Sequence, residues 1–224
     1  MLFDLDHTLM DSDASEALAF ERAMRLIGIE EPQRHMPDYD RINKALWLAV
    51  ERQEITPADV HIARFEQLIA GAGLVADPLE MGNAFADGMG MFGDLYPGAR
   101  EMLDAVAGVA RLGLVTNGLS DIQRARLERL DIARYFDAIV ISGEVGSSKP
   151  HAAIFDIAFQ QLGMPAKETA LMVGDSLSSD IRGGADYGIA TCWYNWRGAT
   201  AGKSDRVDHE IATLDQLGSL IVGS

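Results

Sequence analysis

Residues 1–8 read Met-Leu-Phe-Asp-Leu-Asp-His-Thr, and the interpretation of the whole chain starts from this stretch. Three apolar residues lead directly into two aspartates, Asp4 and Asp6, which flank a single leucine. If a strand of a parallel sheet ends here, both carboxylates can reach one crevice at the carboxyl edge of the sheet, where ligands bind. Carboxylates held close together repel one another, and a shared proton or a divalent cation relieves the repulsion. The alternative is that both aspartates are ordinary turn residues after a short strand.

Length and composition narrow the class of protein. The 224 residues are 48% hydrophobic, which suits one large domain or a domain with a sizeable insertion. The formal charge of −15 disfavours a nucleic-acid polymer as partner, because its phosphates would be repelled. The single cysteine, Cys192, excludes an internal disulfide and fits a reducing cytoplasm. We find no stretch of transmembrane length and no signal-peptide pattern, and therefore expect a cytoplasmic protein without a membrane partner.

The segment of residues 12–93 carries helical patterns throughout. Thr56-Pro57 and Asp77-Pro78 are start signals, with a capping side chain followed by proline at the first helical position. The pair Asp13 and Glu16 resembles a capping pair and predicts the start of the first helix. We expect four helices and no strand in this segment.

From about residue 94 onward, strands alternate with helices. The predicted strands lie at residues 111–116, 138–142, 170–173, 189–194 and 209–211. Two residue pairs are interpreted as helix caps: Ser120 with Gln123, and Thr213 with Gln216. The alternation predicts a parallel sheet covered by helices on both faces, and the first strand must join it. The predicted fold class is therefore α/β, with a three-layer Rossmann-like core formed by residues 1–11 and 94–224 and an inserted all-helical cap domain at residues 12–93.

Polar residues cluster where the predicted strands end. They are Asp4 and Asp6, Thr116 and Asn117, Lys149, and Gly174-Asp175 with Asp180. Each has an ordinary interpretation when taken alone: Asn117-Gly118 is a frequent turn pair, most lysines are solvated, and Asp175 could cap a helix. Together the acids offer the hard oxygen ligands that Mg²⁺ prefers, and the other residues offer partners for phosphate oxygens.

This ordered set of motifs resembles the haloacid dehalogenase superfamily of phosphohydrolases. The resemblance covers essentially the whole chain and rests on the following residues: Asp4-x-Asp6-x-Thr8, Thr116-Asn117 after a hydrophobic strand, Lys149 before a proline, and Gly174-Asp175 with Asp180. The helical insertion is similar to the helical cap of the superfamily's first cap class, the C1 type. The dehalogenase branch lacks the second aspartate, so Asp6 favours phosphoryl chemistry over carbon–halogen cleavage.

The resemblance implies a covalent mechanism. Asp4 would attack phosphorus and form an aspartyl-phosphate, and Asp6 would protonate the leaving oxygen and then accept a proton from water. Mg²⁺ would be held by the Asp4 carboxylate, the backbone carbonyl of Asp6 and the Asp175 carboxylate.

The resemblance also assigns the phosphate-binding and supporting residues. Lys149 would neutralise the phosphate, whose oxygens would meet the Thr116 hydroxyl and the Asn117 backbone N–H. Thr8 would brace the loop behind the ligands, and Asp180 would pair with Lys149.

A narrower resemblance is to the pyrimidine 5′-nucleotidase subgroup. It rests on residues 43–47, 55–56, 64–66, 141–146 and 190–193. It implies a nucleoside 5′-monophosphate substrate, with Trp47 stacking on the base and Asn43 or Arg64 meeting base or ribose oxygens. The alternative for Trp47 is a role in helix packing.

Three other interpretations are consistent with the same residues. A phosphatase for a small phosphorylated acid or sugar, such as phosphoglycolate, would use the same chemistry. A phosphosugar mutase would isomerise its substrate without releasing phosphate. A non-enzymatic binding protein is disfavoured, because no motif position is lost. The partner we expect is a small-molecule phosphate monoester, bound by a monomer or a weak homodimer.

Overall fold

A six-stranded parallel sheet forms the centre of the protein, whose residues 1–218 are described by a computed structural model. The strands are β1 (Leu2–Phe3), β2 (Gly113–Thr116), β3 (Ala138–Ile141), β4 (Leu171–Gly174), β5 (Ala190–Tyr194) and β6 (His209–Ile211). Their order is β3-β2-β1-β4-β5-β6, and every neighbouring pair is parallel. The chain runs outward from β1 in both directions, so the crevice beyond the carboxyl end of β1 is where a ligand is expected. The predicted fold class is confirmed.

Nine α-helices are found among the described residues. They are α1 (Ser12–Leu26), α2 (Met36–Glu51), α3 (Pro57–Ala72), α4 (Pro78–Met91), α5 (Ala99–Ala107), α6 (Ser120–Arg129), α7 (Ser142–Val145), α8 (Ala152–Gln161) and α9 (Arg182–Tyr187). A π-helical turn, Leu177–Ile181, precedes α9. No helix in the described part of the chain is both long and apolar enough to cross a lipid bilayer. The last predicted helix, after Thr213, extends outside the described residues.

Local capping explains where several helices begin. Thr56 and Asp59 form a reciprocal capping box at α3, and the Asp77 side chain caps α4, as the sequence predicts. At α1 the predicted pair is wrong, because the capping carboxylate is that of Asp11, which accepts a hydrogen bond from the Ala14 N–H at 3.1 Å.

The capping role predicted for Gln123 is also wrong. Helix α6 begins at Ser120 without a side-chain cap, and Gln123 is buried. Its side chain bonds instead to groups at the end of β1 and β2, as described below.

The buried apolar residues form three clusters. Successive strand residues point to opposite faces of the sheet, so Phe3 packs into the cluster that includes residues of α5 and α6, and Leu2 packs into the cluster that includes α8. A third cluster, centred on Phe20, Tyr39 and Phe65, lies entirely within α1–α4. The helical segment therefore has a core of its own.

The chain enters and leaves the helical segment at adjacent points. The Asp11 N–H donates to the Asp94 carbonyl at 2.9 Å, and Met10 forms an antiparallel bridge with Leu95. The four helices α1–α4 occupy the segment for which a cap was expected, while the division into two domains at residues 11/12 and 93/94 stays a prediction.

Candidate active site

The two aspartates of the first motif lie at the end of β1. The Asp4 N–H donates to the carbonyl of Val173 on β4 at 3.0 Å. The backbone then turns at His7, which has a positive φ of 58°. Both carboxylates line one cavity of about 400 Å³, and both Asp4 and Asp6 therefore face the crevice expected from the strand order.

Lys149 is brought to Asp4 by the loop that follows β3. Its ammonium nitrogen lies 2.5 Å from an Asp4 oxygen and 2.7 Å from an Asp180 oxygen, and its side chain is 1% exposed. Burial acts to lower the pKa of Lys149, but Asp180 and Asp4 outweigh it and hold this pKa above its usual value. The Asn117 side chain positions the lysine by accepting from the Lys149 N–H (2.8 Å) and donating to its carbonyl (3.0 Å).

Three carboxylates form a group at this site, and two of them, Asp4 and Asp180, contact the ammonium. Oxygens of Asp4, Asp175 and Asp180 lie within 4.8 Å of one another. Burial, together with repulsion from neighbouring carboxylates, raises the pKa of Asp4 to about 7 and the pKa of Asp175 to about 8. Such an arrangement holds excess negative charge when ionised, and a cation would relieve it.

Thr8 contacts Asp175 of this group, and Asp180, another member, is held by a backbone N–H at the start of the π-helical turn. The Thr8 hydroxyl accepts from the Asp175 N–H at 3.1 Å and donates to its carboxylate at 3.4 Å. Asp180 accepts from the Ser176 N–H at 3.0 Å, within the π-helical turn. Neither residue lines the cavity, which is consistent with the supporting positions that the sequence analysis expects.

The Asp6 carboxylate is held by a different set of partners. It accepts hydrogen bonds from the Ser12 hydroxyl (2.5 Å), from Arg126 (2.5 Å) and from the Gln123 amide (2.6 Å). Burial acts to raise the pKa of Asp6, but Arg126 and the hydrogen bonds from Ser12 and Gln123 hold this pKa below its usual value. These contacts favour the ionised form of the Asp6 carboxylate. The Gln123 amide also donates to the Thr116 hydroxyl at 2.8 Å, and that threonine is fully buried outside the cavity lining.

Arg126 is the most prominent residue of the site that sequence reasoning missed. It is 1% exposed and donates to Asp6, to the Ser15 hydroxyl (2.9 Å) and to the Met89 carbonyl (2.8 Å). These contacts join α6 to both α1 and α4. The signal that was available is the occurrence of two polar residues, Gln123 and Arg126, three apart and so on one face of a helix next to the site.

The helical segment forms the other side of the cavity. Of the residues predicted to choose the leaving group, Asn43, Trp47 and Arg64 all line it. Trp47 also packs against the apolar cluster of α1–α4, so the two interpretations of this residue are compatible. The carboxylates and the predicted specificity residues therefore share a single cavity.

Comparison with known proteins agrees with this geometry. The family model of haloacid dehalogenase-like hydrolases matches residues 1–188. The pyrimidine 5′-nucleotidase YjjG of Escherichia coli is 38% identical over 87% of this chain and 85% of its own length. The pyrimidine 5′-nucleotidase PynA of Streptococcus pneumoniae is 35% identical over 87% of this chain and 83% of its own length. The chain belongs to the haloacid dehalogenase-like hydrolase family.

One solved structure adds detail on fold and metal. The HAD-hydrolase YfnB of Bacillus subtilis superimposes with a TM-score of 0.90 at 30% identity, covering 98% of this chain and 96% of that one. That crystal structure is of the protein bound to magnesium, and it reveals interdomain movement. The predicted resemblance is confirmed, and so is the prediction of a hydrolytic enzyme.

Proposed function

We propose that this hydrolase is a magnesium-dependent phosphatase that acts on nucleoside 5′-monophosphates, of the pyrimidine 5′-nucleotidase type, through an aspartyl-phosphate. The observation that carries the proposal is the contact of Asp4 with Lys149 beside Asp175, in a cavity whose opposite side is formed by α1–α4. The names of two relatives, each a pyrimidine 5′-nucleotidase, support the substrate class.

The acidic group fits a magnesium ion. Its donors are carboxylate oxygens, which Mg²⁺ prefers, and the raised pKa values of Asp4 and Asp175 reflect burial and the neighbouring negative charge that a cation would offset. Asp4, Asp175 and the backbone carbonyl of Asp6 would hold the ion. When bound, Mg²⁺ would reduce the repulsion between these carboxylates and a phosphate dianion.

The residues divide the reaction between them. A carboxylate oxygen of Asp4 bonds to phosphorus while the bond from phosphorus to the ribose 5′ oxygen breaks, and Lys149 neutralises phosphate charge. Asp6 gives a proton to the departing oxygen and later takes one from the water that hydrolyses the acyl-phosphate. The contact with Arg126 favours the ionised form of Asp6, which suits the second step, and the first step requires that Asp6 has bound a proton while Arg126 orients it.

The remaining assignments concern binding and location. Asn117 lines the cavity and would contact the phosphate, whereas the Thr116 hydroxyl, expected to do the same, is buried outside the lining and holds Gln123 instead. Asn43, Trp47 and Arg64 would meet the leaving group. The single cysteine, Cys192, is buried, and the cytoplasmic location that it suggests stays a prediction. The oligomeric state, a monomer or a weak homodimer, also stays a prediction.

A phosphate-release screen tests the proposal. The substrates are dUMP, dTMP, a purine monophosphate, phosphoglycolate and sugar phosphates, each with and without Mg²⁺. We expect release to be fastest from the pyrimidine nucleotides and to require Mg²⁺. Asp4→Asn should reduce turnover at least about 1,000-fold, because the nucleophile is lost. The fold should persist, since asparagine has the same size and Asp180 still pairs with Lys149.

The matched control is Asp94→Asn, a carboxylate whose side chain is 94% exposed, which should behave as the unmodified protein. Substantial turnover by Asp4→Asn would contradict the covalent scheme. A preference for sugar phosphates would contradict the substrate class, and an isomerised sugar phosphate without free phosphate would indicate a mutase.

A further inference from the structure

Four polar residues on the helical side of the cavity and the phenylalanine ring next to them form one cluster, which we call the roof cluster. Its members are Glu16 on α1, Tyr39 and Asn43 on α2, Arg64 on α3 and Phe85 on α4. All except Tyr39, which is fully buried behind them, line the cavity. Glu16 was not among the predicted site residues.

The Tyr39 hydroxyl lies between the Glu16 carboxylate and the Arg64 guanidinium. It donates to Glu16 Oε1 at 2.7 Å and accepts from Arg64 Nη1 at 3.2 Å. The same Glu16 oxygen accepts from the Asn43 amide at 2.5 Å. Arg64 is further fixed by donating from Nε to the Val60 carbonyl at 3.0 Å. The acid and the guanidinium are thus held at a set spacing by the phenol between them.

Each charged residue keeps one polar atom uncommitted. Among the described residues, neither Glu16 Oε2 nor Arg64 Nη2 makes a hydrogen bond, and the two side chains form no direct ion pair. Arg64 is 4% exposed, with its guanidinium 4.8 Å from the centre of the Phe85 ring. Burying charges is costly unless they are paired and hydrogen-bonded. An acceptor and a donor that are joined through one phenol and line the same cavity are suited to a ligand that carries the complementary pair.

We propose that the roof cluster recognises the base of the substrate, with Glu16 accepting from an N–H group of a pyrimidine and Arg64 donating to the adjacent carbonyl oxygen or ring nitrogen. In uracil and thymine the pair is N3–H and a neighbouring carbonyl, and in cytosine it is the exocyclic N–H and N3. This inference rests on the proposed function, since it names the part of the substrate that leaves with the ribose oxygen.

The test combines a change in the protein with a change in the substrate. The substrates are dUMP and its N3-methyl derivative, which lacks the ring N–H. The unmodified protein should have a kcat/KM about tenfold or more higher for dUMP than for the derivative, because a hydrogen bond to a charged group is lost. In Glu16→Gln this ratio should collapse toward the steric effect of the methyl group, and the loss for dUMP should fall mainly on KM.

Two further variants keep the inference falsifiable. Glu21→Gln, on the exposed face of the same helix, should retain the full ratio. If Glu16→Gln fails to fold, Arg64→Lys tests the inference. This variant keeps the charge but loses the planar fork, and it should lower kcat/KM for dUMP and for the N3-methyl derivative by a similar factor, because both substrates keep the carbonyl oxygen.

The outcomes separate the two proposals. No phosphate release from dUMP or from p-nitrophenyl phosphate by the unmodified protein overturns the proposed function, and this inference with it. Phosphate release with an unchanged substrate ratio in Glu16→Gln, or with an unchanged kcat/KM for dUMP in Arg64→Lys, overturns the base-recognition role alone.

Discussion

Arg126 illustrates how much a single buried residue can hold in place. Its guanidinium touches the Asp6 carboxylate, a hydroxyl on α1 and a carbonyl on α4, and its side chain is 1% exposed. Removing one partner of a buried ion pair leaves an uncompensated charge behind, which destabilises far more than the loss of a surface pair.

We therefore expect Arg126→Met to lower the free energy of unfolding by about 3–5 kcal/mol. It should also reduce kcat, because Asp6 loses the contact that orients it. Urea denaturation and steady-state kinetics measure the two effects. Arg124→Met is the matched control on the same helix, where a half-exposed arginine pairs with Glu144, and it should cost about 1 kcal/mol or less. Equal stability of the two variants would contradict this account of Arg126.

The sequence identifies some site residues and not others, for a physical reason. Asp4, Asp175 and Lys149 follow predicted strands of a parallel sheet, and the carboxyl ends of such strands must meet at one edge. Glu16 and Arg126 lie within helices, where periodicity indicates a buried face but not which polar partner waits across it. The polar partners of Glu16 and Arg126 are therefore seen only in the three-dimensional structure.

At the scale of secondary structure elements, the end of β4 is the most tightly constrained. Gly174 has no room for a side chain, since a Cβ there would overlap the carboxylate of Asp180. That carboxylate is fully buried and pairs with Lys149 at 2.7 Å. The glycine is therefore needed for the close approach of the strand to the acid in the π-helical turn.

Gly174→Ala should destabilise the protein by about 1–3 kcal/mol, since overpacking must displace either the strand or Asp180. Mg²⁺ affinity should fall as well, because the acidic group would be disturbed. Thermal unfolding and isothermal calorimetry with Mg²⁺ measure both. Gly71→Ala, where nothing lies within 4 Å of the added carbon in α3, should be neutral or stabilising by up to about 1 kcal/mol. Unchanged Mg²⁺ affinity in Gly174→Ala would show that Asp180 tolerates displacement.

Element boundaries were predicted less well than element types. Strand β3 ends at Ile141, and the predicted strand residue Ser142 instead begins the short helix α7. Its hydroxyl bonds to the backbone of Gly118 at 2.9 Å, a contact between loops that no local pattern reveals. The π-helical turn before α9 was likewise not predicted, since its wide turn is set by packing rather than by composition.

For the molecule as a whole, the acidic group predicts how stability depends on pH. Without Mg²⁺, the pKa of Asp4 is raised by burial to about 7 and that of Asp175 to about 8, whereas in the unfolded chain both lose their protons near pH 4. From about pH 5 to about pH 8 the native state holds the extra protons. The free energy of unfolding should therefore fall with rising pH, by about 1.4 kcal/mol per pH unit for each extra proton. The lowered pKa of Asp6 acts only below this range.

Added Mg²⁺ should reverse this trend, because the ion and the protons compete for the same carboxylates. Its stabilising effect should grow as pH rises through the native pKa values. Denaturation in the presence of EDTA and of Mg²⁺, at several pH values, measures both slopes, with a potassium salt of equal ionic strength as the control. Identical slopes with and without Mg²⁺ would place the ion somewhere other than this group.

The chain enters and leaves the helical segment at one point, where Asp11 contacts Asp94 and Met10 contacts Leu95, and this has an evolutionary consequence. The two ends of the helical segment are adjacent and are joined by a backbone hydrogen bond. The segment can therefore be lengthened, shortened or replaced as a unit while the strands that carry Asp4, Lys149 and Asp175 keep their register. Since we propose that this segment selects the leaving group, replacing one contiguous piece of gene would then change the substrate and leave the reacting groups untouched.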